Sequence, residues 1–335
     1  HREQRVQPPE VDVLEAVDRV VPFPKPAGTG RRMLSNLWEK LFVNTPSDSM
    51  RNIHDHYDLG NEFYRLWLDE RMLYTCAYFP ESNFSLEAAQ LAKMDHVCRK
   101  LRLRSGERVI EAGCGWGALA LHMARNYGVS VKAYNISHEQ IAYARAHARR
   151  EGLLAQVEFI EDDYRNVSGK CNAFVSVGML EHVGPGHYLE LGAAIDRTLN
   201  FSGRGLIHSI GRNRVLPMNE WCRKRIFPGS YPPTLGEMTQ VLEPYCFSVL
   251  DVENLRLHYE LTLKHWLARF ENNRERIAEM FDDSFVRAWR LYLASSSAAF
   301  NTGWLQLFQV VFARQQSNDL SLTREHLYCP PEPLS

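Results

Sequence analysis

Apolar and polar positions follow two different periods along this chain. SLEAAQLAKMDHVCRKL (85–101) repeats its apolar residues at helical spacing. Ser85 ahead of it, with Glu87 in the first turn, predicts a helix start there. A full capping box would need Glu or Gln at position 88, where the chain has Ala88. EFYRLWL (62–68) predicts another helix. Between 108 and 211 short apolar runs and helical stretches take turns. Strands are predicted over RVIEAGC (108–114), VSVKAYNI (129–136), VEFIEDD (157–163), AFVSVGM (173–179) and GLIHSIG (205–211). Helices are predicted over ALALHMARNY (118–127), SHEQIAYARAHARREG (137–152, opened by Ser137 and closed by Gly152) and HYLELGAAIDRTL (187–199). Such alternation predicts an α/β fold, a doubly wound parallel sheet with helices on both faces. Beyond 212 the alternation breaks up. A Pro-rich stretch, FPGSYPP (227–233), precedes helical patterns at 235–243, 260–280 and 283–300 and an apolar end, WLQLFQVVFAR (304–314). Residues 1–50 read as a loose arm in which VLEAVDRVV (13–21) and MLSNLWEKLF (33–42) flank the Pro/Gly linker PFPKPAGTGRR (22–32). No internal repeat is visible.

Composition narrows the classes. The 335 residues are 45% hydrophobic, 24% charged and 11% aromatic, enough for one large α/β domain or two small ones, and unlike collagen or a disordered chain. With 39 Lys+Arg against 40 Asp+Glu, no general attraction to phosphate exists, so a nucleic-acid partner is not indicated. Seven cysteines without a CxxC pair argue against a disulfide framework or a zinc ribbon and point to a reducing cytoplasm. No run reaches the ~20 apolar residues that span a bilayer. The first residues carry no signal-peptide core. The chain begins at His1 rather than Met, which leaves room for an upstream segment that was removed.

The sharpest local signal is Glu111-Ala112-Gly113-Cys114-Gly115-Trp116-Gly117, after a strand and opening a helix. Glycines let a backbone approach a ligand closely, and a helix start offers free N–H groups. The spacing is Gly-x-Gly-x-Gly, not that of a dinucleotide site, and no phosphate lysine follows. An acid two residues before the first glycine suits a ligand with a cationic end, such as the amino group of S-adenosylmethionine. A tight strand–helix turn without a ligand would use the same residues.

With its flanks the motif becomes specific. HYDLGNEFYRLWLDERMLYTCAYF (56–79), VIEAGCGWGALA, VSVGMLEHVGPGHY (175–188), GLIHSIG and WLQLFQVVFAR stand in the order found in the cyclopropane fatty acid synthase family, which includes the mycolic acid methyltransferases. The chain closely resembles that family over about residues 50–315. The resemblance implies a class I methyltransferase fold (a Rossmann-like doubly wound sheet) with helical insertions covering an acyl-chain site. It implies S-adenosylmethionine as methyl donor, a cis alkene of an unsaturated fatty acyl chain as acceptor, a phospholipid as its carrier, and bound bicarbonate as base. Domains are expected as an arm (1–50), the methyltransferase domain (51–315) and a tail (316–335). The arm is shorter than the extra domain of the longer family members.

The chemistry agrees. Methylating an alkene makes a carbocation, so the site should exclude water and offer electron-rich faces. Tyr57, Tyr74, Tyr78, Phe79, Trp116, Tyr164, Tyr259 and Trp304 are candidates, each equally able to pack in a core. The positions that match the family's bicarbonate site are Cys76, Glu181, His208, Ile210 and Tyr259, with Cys76 and Ile210 contributing backbone N–H groups, His208 and Tyr259 donating, and Glu181 accepting or holding His208. For the donor, the match points to Tyr74, Thr75, Gly113, Gly115, Asn135, Gln140 and Tyr164, with Glu111 where Asp is commoner and Asn135 where Thr is. The second strand ends without an acid, so Asn135 or Gln140 would serve the ribose hydroxyls, and Tyr164 could stack on adenine. No metal is expected, because no His/Cys/Asp set has ligand spacing. Of two basic clusters, 99–108 reads as a solvated helix face. The other, Arg212, Arg214, Arg223, Lys224 and Arg225, could meet headgroups or an acidic carrier in peripheral membrane contact. The arm could dock on a membrane, form a homodimer contact or act as a lid. A branched or methylene product from the same site, and a non-catalytic binding protein, remain alternatives.

Overall fold

A computed structural model describes residues 59–328. The expected arm, Tyr57 and the end of the tail lie outside the described residues. Seven strands form one sheet in the order β3-β2-β1-β4-β5-β7-β6. They are β1 (Arg108–Ala112), β2 (Ser130–Asn135), β3 (Val157–Glu161), β4 (Cys171–Val177), β5 (Leu199–Gly211), β6 (Phe247–Asn254) and β7 (Gln306–Arg314). The helices that matter here are α1 (Asn61–Arg65), α2 (Leu86–Lys100), α3 (Ala118–Tyr127), α4 (His138–Arg150), α5 (Leu180–Val183), α6 (Tyr188–Thr198), α7 (Glu220–Arg225), α8 (Leu235–Met238), α9 (Arg256–Asn272), α10 (Arg274–Met280) and α11 (Asp283–Asn301).

The first five strands pair in parallel, as the alternation predicts. Successive side chains point to opposite faces, and both faces are covered. Val109, Val131, Ala173 and Val175 pack on one side with Val97 of α2, Ala120 of α3 and Ile141 of α4. Ile110, Tyr134 and Phe174 pack on the other with Leu191 and Ile195 of α6. The predicted helix starts are present. Ser85 Oγ accepts from the Ala88 N–H, and Ser137 Oγ from the Gln140 N–H.

The sheet is not parallel throughout. β7 runs antiparallel to both β5 and β6. β6 is absent from the sequence reading because it is an edge strand. Its Val249, Leu250 and Val252 are exposed and its register shifts between Val249 and Asp251, so no clean period shows. The 235–243 pattern is the short α8 followed by a 3-10 turn, and the 260–280 pattern is two helices that begin at Arg256. α9, α10 and α11 build a third, aromatic core with α1, where Phe63, Trp67, Trp266, Trp289 and Phe300 are buried. Among the described residues no helix is long and apolar enough to cross a membrane.

Candidate functional site

A cavity of about 190 Å³ opens where β1, β2 and β4 end. The glycine turn forms its floor, and each glycine does something different. Gly113 (φ +83°) lets its own N–H and that of Cys114 bond the Tyr134 carbonyl, at 2.9 and 3.1 Å. A Cβ at Gly117 (φ +85°) would stand 2.6 Å from the Phe159 ring and 2.8 Å from Ala144 Cβ, so this residue is required for helix–sheet packing. A Cβ at Gly115 (φ +53°) would meet nothing within 4 Å, because Gly115 faces the cavity.

All the predicted donor-side residues line this cavity: Tyr74, Thr75, Glu111, Gly113, Gly115, Asn135, Gln140 and Tyr164. Glu111 is 2% exposed, and its Oε2 has no hydrogen-bond partner. Burial pushes its acid up to about 8, against the opposing pull of Lys93. Asn135 is spent inside the loop. Its Nδ2 donates to Gln140 Oε1 (2.7 Å) and to the Gly115 carbonyl (3.3 Å), while its Oδ1 accepts from the Ile136 N–H (2.8 Å). The Tyr164 hydroxyl is buried without a partner, and the Arg165 guanidinium lies 4.8 Å over the Tyr164 ring. This wall fits an elongated ligand with a cationic end, because the orphaned carboxylate oxygen of Glu111 needs a donor.

The catalytic-side residues come together less completely. Glu181, Ile210 and Tyr259 line the cavity. Glu181 Oε1 accepts the Ile210 N–H at 2.5 Å, so that backbone donor is already engaged, while Glu181 Oε2 is buried and unpartnered. Burial pushes the Glu181 acid up to about 7. His208 sits on β5 directly opposite Gln309 on β7. Gln309 Nε2 donates to His208 Nδ1 at 3.0 Å, which places the ring proton on Nε2, a buried donor without a partner. Burial, with Lys93 and Lys100 adding to it, pulls the His208 imidazolium down to about 3, so the ring is neutral at pH 7. Tyr259 stacks on Phe300 with ring centres 4.5 Å apart. Cys76 lies in the aromatic core rather than on the cavity wall. Its Sγ donates to the Ala77 carbonyl at 3.1 Å, and burial pushes the thiol far up.

The structure corrects other expectations. Tyr74, Trp116, Tyr164 and Tyr259 line the cavity, joined by Tyr134, Phe227 and Tyr292, which sequence reasoning missed. Tyr78 and Phe79 do not. Tyr78 is stacked between His96 and His258, and Phe79 against His265. Lys100 of the first basic cluster is not solvated but buried against Glu253 at 2.6 Å. Arg212 of the second is also buried, donating to the carbonyls of Pro232 and Pro217, and so pins the Pro-rich loop over the cavity. Lys93, on the cavity wall, was missed because a lysine within a helical period reads as a solvent-facing residue.

The profile of the family described as mycolic acid cyclopropane synthetase matches residues 44–310. The chain belongs to that family. Members of the mycolic acid cyclopropane synthetase family are S-adenosylmethionine-dependent methyltransferases, and this chain is one of them. It is 41% identical to a cyclopropane-fatty-acyl-phospholipid synthase of Escherichia coli, over 81% of this chain and 69% of that protein. It is 36% identical to a probable fatty acid methyltransferase of Pseudomonas putida, over 90% of this chain and 82% of that one. Among solved structures, the cyclopropane synthase MmaA2 from Mycobacterium tuberculosis superposes with a TM-score of 0.76 at 25% identity, covering 79% of this chain and 98% of the other. The class I methyltransferase fold is thereby established.

Proposed function

We propose that this methyltransferase adds a methylene group from S-adenosylmethionine across a cis double bond of an unsaturated fatty acyl chain, closing a cyclopropane ring, with a phospholipid as acyl carrier. The observation that carries this reading is a buried, unpartnered acceptor on the wall of an aromatic cavity, Glu181 Oε2 on α5 just after β4, with a buried, unpartnered donor, His208 Nε2, behind that wall on the neighbouring β5. The similarity to the E. coli enzyme supports the phospholipid.

On the donor side, bound S-adenosylmethionine supplies an electrophilic methyl group. Gly115 leaves space for close backbone approach. Asn135 fixes Gln140, whose Nε2 is then the group for the ribose hydroxyls. Tyr164 offers adenine the ring face away from Arg165. On the acceptor side, attack by the alkene leaves a cation on the acyl chain. The rings of Tyr74, Trp116, Tyr259 and Tyr292 face that charge and keep water out. Loss of a proton from the new methyl group closes the ring. Glu181 Oε2, His208 Nε2 and Tyr259 are the residues that would hold bicarbonate, which would supply the base. The Ile210 N–H orients Glu181 instead of the anion. Lys224 and Arg225 on α7 are exposed, three and two residues before Phe227 of the cavity wall, and would meet lipid headgroups.

The P. putida relative, a probable fatty acid methyltransferase, favours a second reading of the same site, fatty acyl methylation that ends in a methyl-branched or methylene product. Proton NMR of lipid extracted from a host expressing the protein separates the two. Olefinic signals giving way to upfield cyclopropyl signals support the first reading, and new methyl or methylene signals support the second.

A further inference from the structure

Lys93 stands midway along α2 and is 1% exposed, yet it lines the cavity. Its ammonium donates to Thr75 Oγ1 at 2.9 Å, and that is its only hydrogen bond among the described residues. An ammonium carries three donors, so two are left over in a place where an unmatched charge is costly. The carboxylates that act on it electrostatically are Asp69 and Glu111. Asp69 is spent on the Arg71 and Leu73 N–H groups, at 3.1 and 2.8 Å. Glu111 faces the same cavity with an orphaned oxygen. Burial draws the lysine down to about 8 and the acid up to about 8, as expected for two charges that lack full compensation. One cavity wall therefore presents an ammonium with spare donors and a carboxyl group with an unpartnered oxygen, which ionises once a cation arrives to pair with it. An α-amino acid, with its ammonium and carboxylate on one carbon, satisfies both at once.

We propose that Lys93 is a donor-binding residue, and that Lys93 and Glu111 together receive the amino-acid end of S-adenosylmethionine, Lys93 taking the carboxylate and Glu111 the ammonium. This rests on the donor reading above. It assigns Lys93 more than the support of Thr75.

Calorimetric titration tests it with two compounds: S-adenosylhomocysteine, and its decarboxylated counterpart, which keeps the amine and the nucleoside. Wild type should bind the decarboxylated compound more weakly. Lys93→Met keeps the length of the side chain without its charge and should weaken S-adenosylhomocysteine by roughly 10–100-fold, the range of a charge-assisted hydrogen bond. It should leave the decarboxylated compound almost unchanged, so the gap between the two closes. Lys93→Gln, which can still donate to Thr75, should close the gap as well. Glu111→Gln should weaken both compounds alike. Equal losses for both compounds in the two Lys93 variants, or no loss, would show that Lys93 is structural and overturn the proposal while the donor site stands. A wild-type chain that binds neither compound overturns the donor reading itself.

Discussion

Burial pushes Glu181 and His208 toward their neutral forms, raising the titration of the acid and lowering that of the imidazole. The histidine is held neutral far below pH 7 and donates from Nε2 throughout the useful range. The glutamic acid titrates near 7 and must be ionised to accept a proton-bearing anion. Methyl transfer into unsaturated lipid should therefore show an acid limb near pH 7, not near the ordinary carboxylate value. Glu181→Gln should lower the rate by about 10²–10⁴-fold and remove that limb from the activity that remains, while donor affinity changes little. An unchanged limb in this variant would assign it to another group. Stability moves the other way. The folded chain keeps the Glu181 proton that the unfolded chain releases between pH 4.5 and about 7, so folding becomes less favourable as pH rises through that window. Glu181→Gln should accordingly melt higher than wild type at pH 8 and not at pH 4, as thermal scans at the two pH values would report.

At the scale of the element, the glycine turn divides into a packing part and a ligand part. Gly117→Ala puts a methyl group into Phe159 and Ala144 at a positive φ, and should cost about 1–3 kcal/mol from overpacking plus ~1–2 kcal/mol of backbone strain. Gly115→Val has open space beside it, so it should cost mainly the backbone strain yet abolish donor binding by filling the cavity. Melting curves and calorimetric titration on both variants would separate the effects. Unchanged affinity in Gly115→Val would remove the turn from the donor site. The same contrast explains what was legible in the sequence. β1, β4 and the second half of β5 were visible as apolar runs buried on both faces, and β2 and β3 as short strands that alternate buried and exposed residues. β6 was not, because its outward residues include Val249, Leu250 and Val252, and burial cannot be read from an apolar residue alone. Lys93 and Gln309 failed for the converse reason. Each is polar within a regular element, and only the assembled fold shows that it is buried.

The whole molecule places the site where its three cores meet. The sheet and its two covered faces supply the donor floor, and the aromatic core under α9 and α11 brings Tyr259 and Tyr292 to the opposite wall. That meeting was only partly legible. The family motifs named the wall residues in order, but the folding of the 227–233 loop over the cavity depends on Arg212, which reads as a surface charge in sequence. Among the described residues no cluster of His, Cys, Asp or Glu could hold a metal ion, so methyl transfer should survive EDTA. Loss of activity that a divalent ion restores would contradict this. Ring closure makes a sharper demand on the assembled site. The new methyl group must lose one hydrogen to a base held beside the cation. A methyl-branched product formed by hydride capture, or by loss of a proton from the chain instead, keeps all three methyl hydrogens. Incubation with S-adenosylmethionine carrying a fully deuterated methyl group, followed by mass spectrometry of the lipid, should find two of the three deuterons in each product chain. Retention of all three would show that no proton leaves the new methyl group, and ring closure would be excluded.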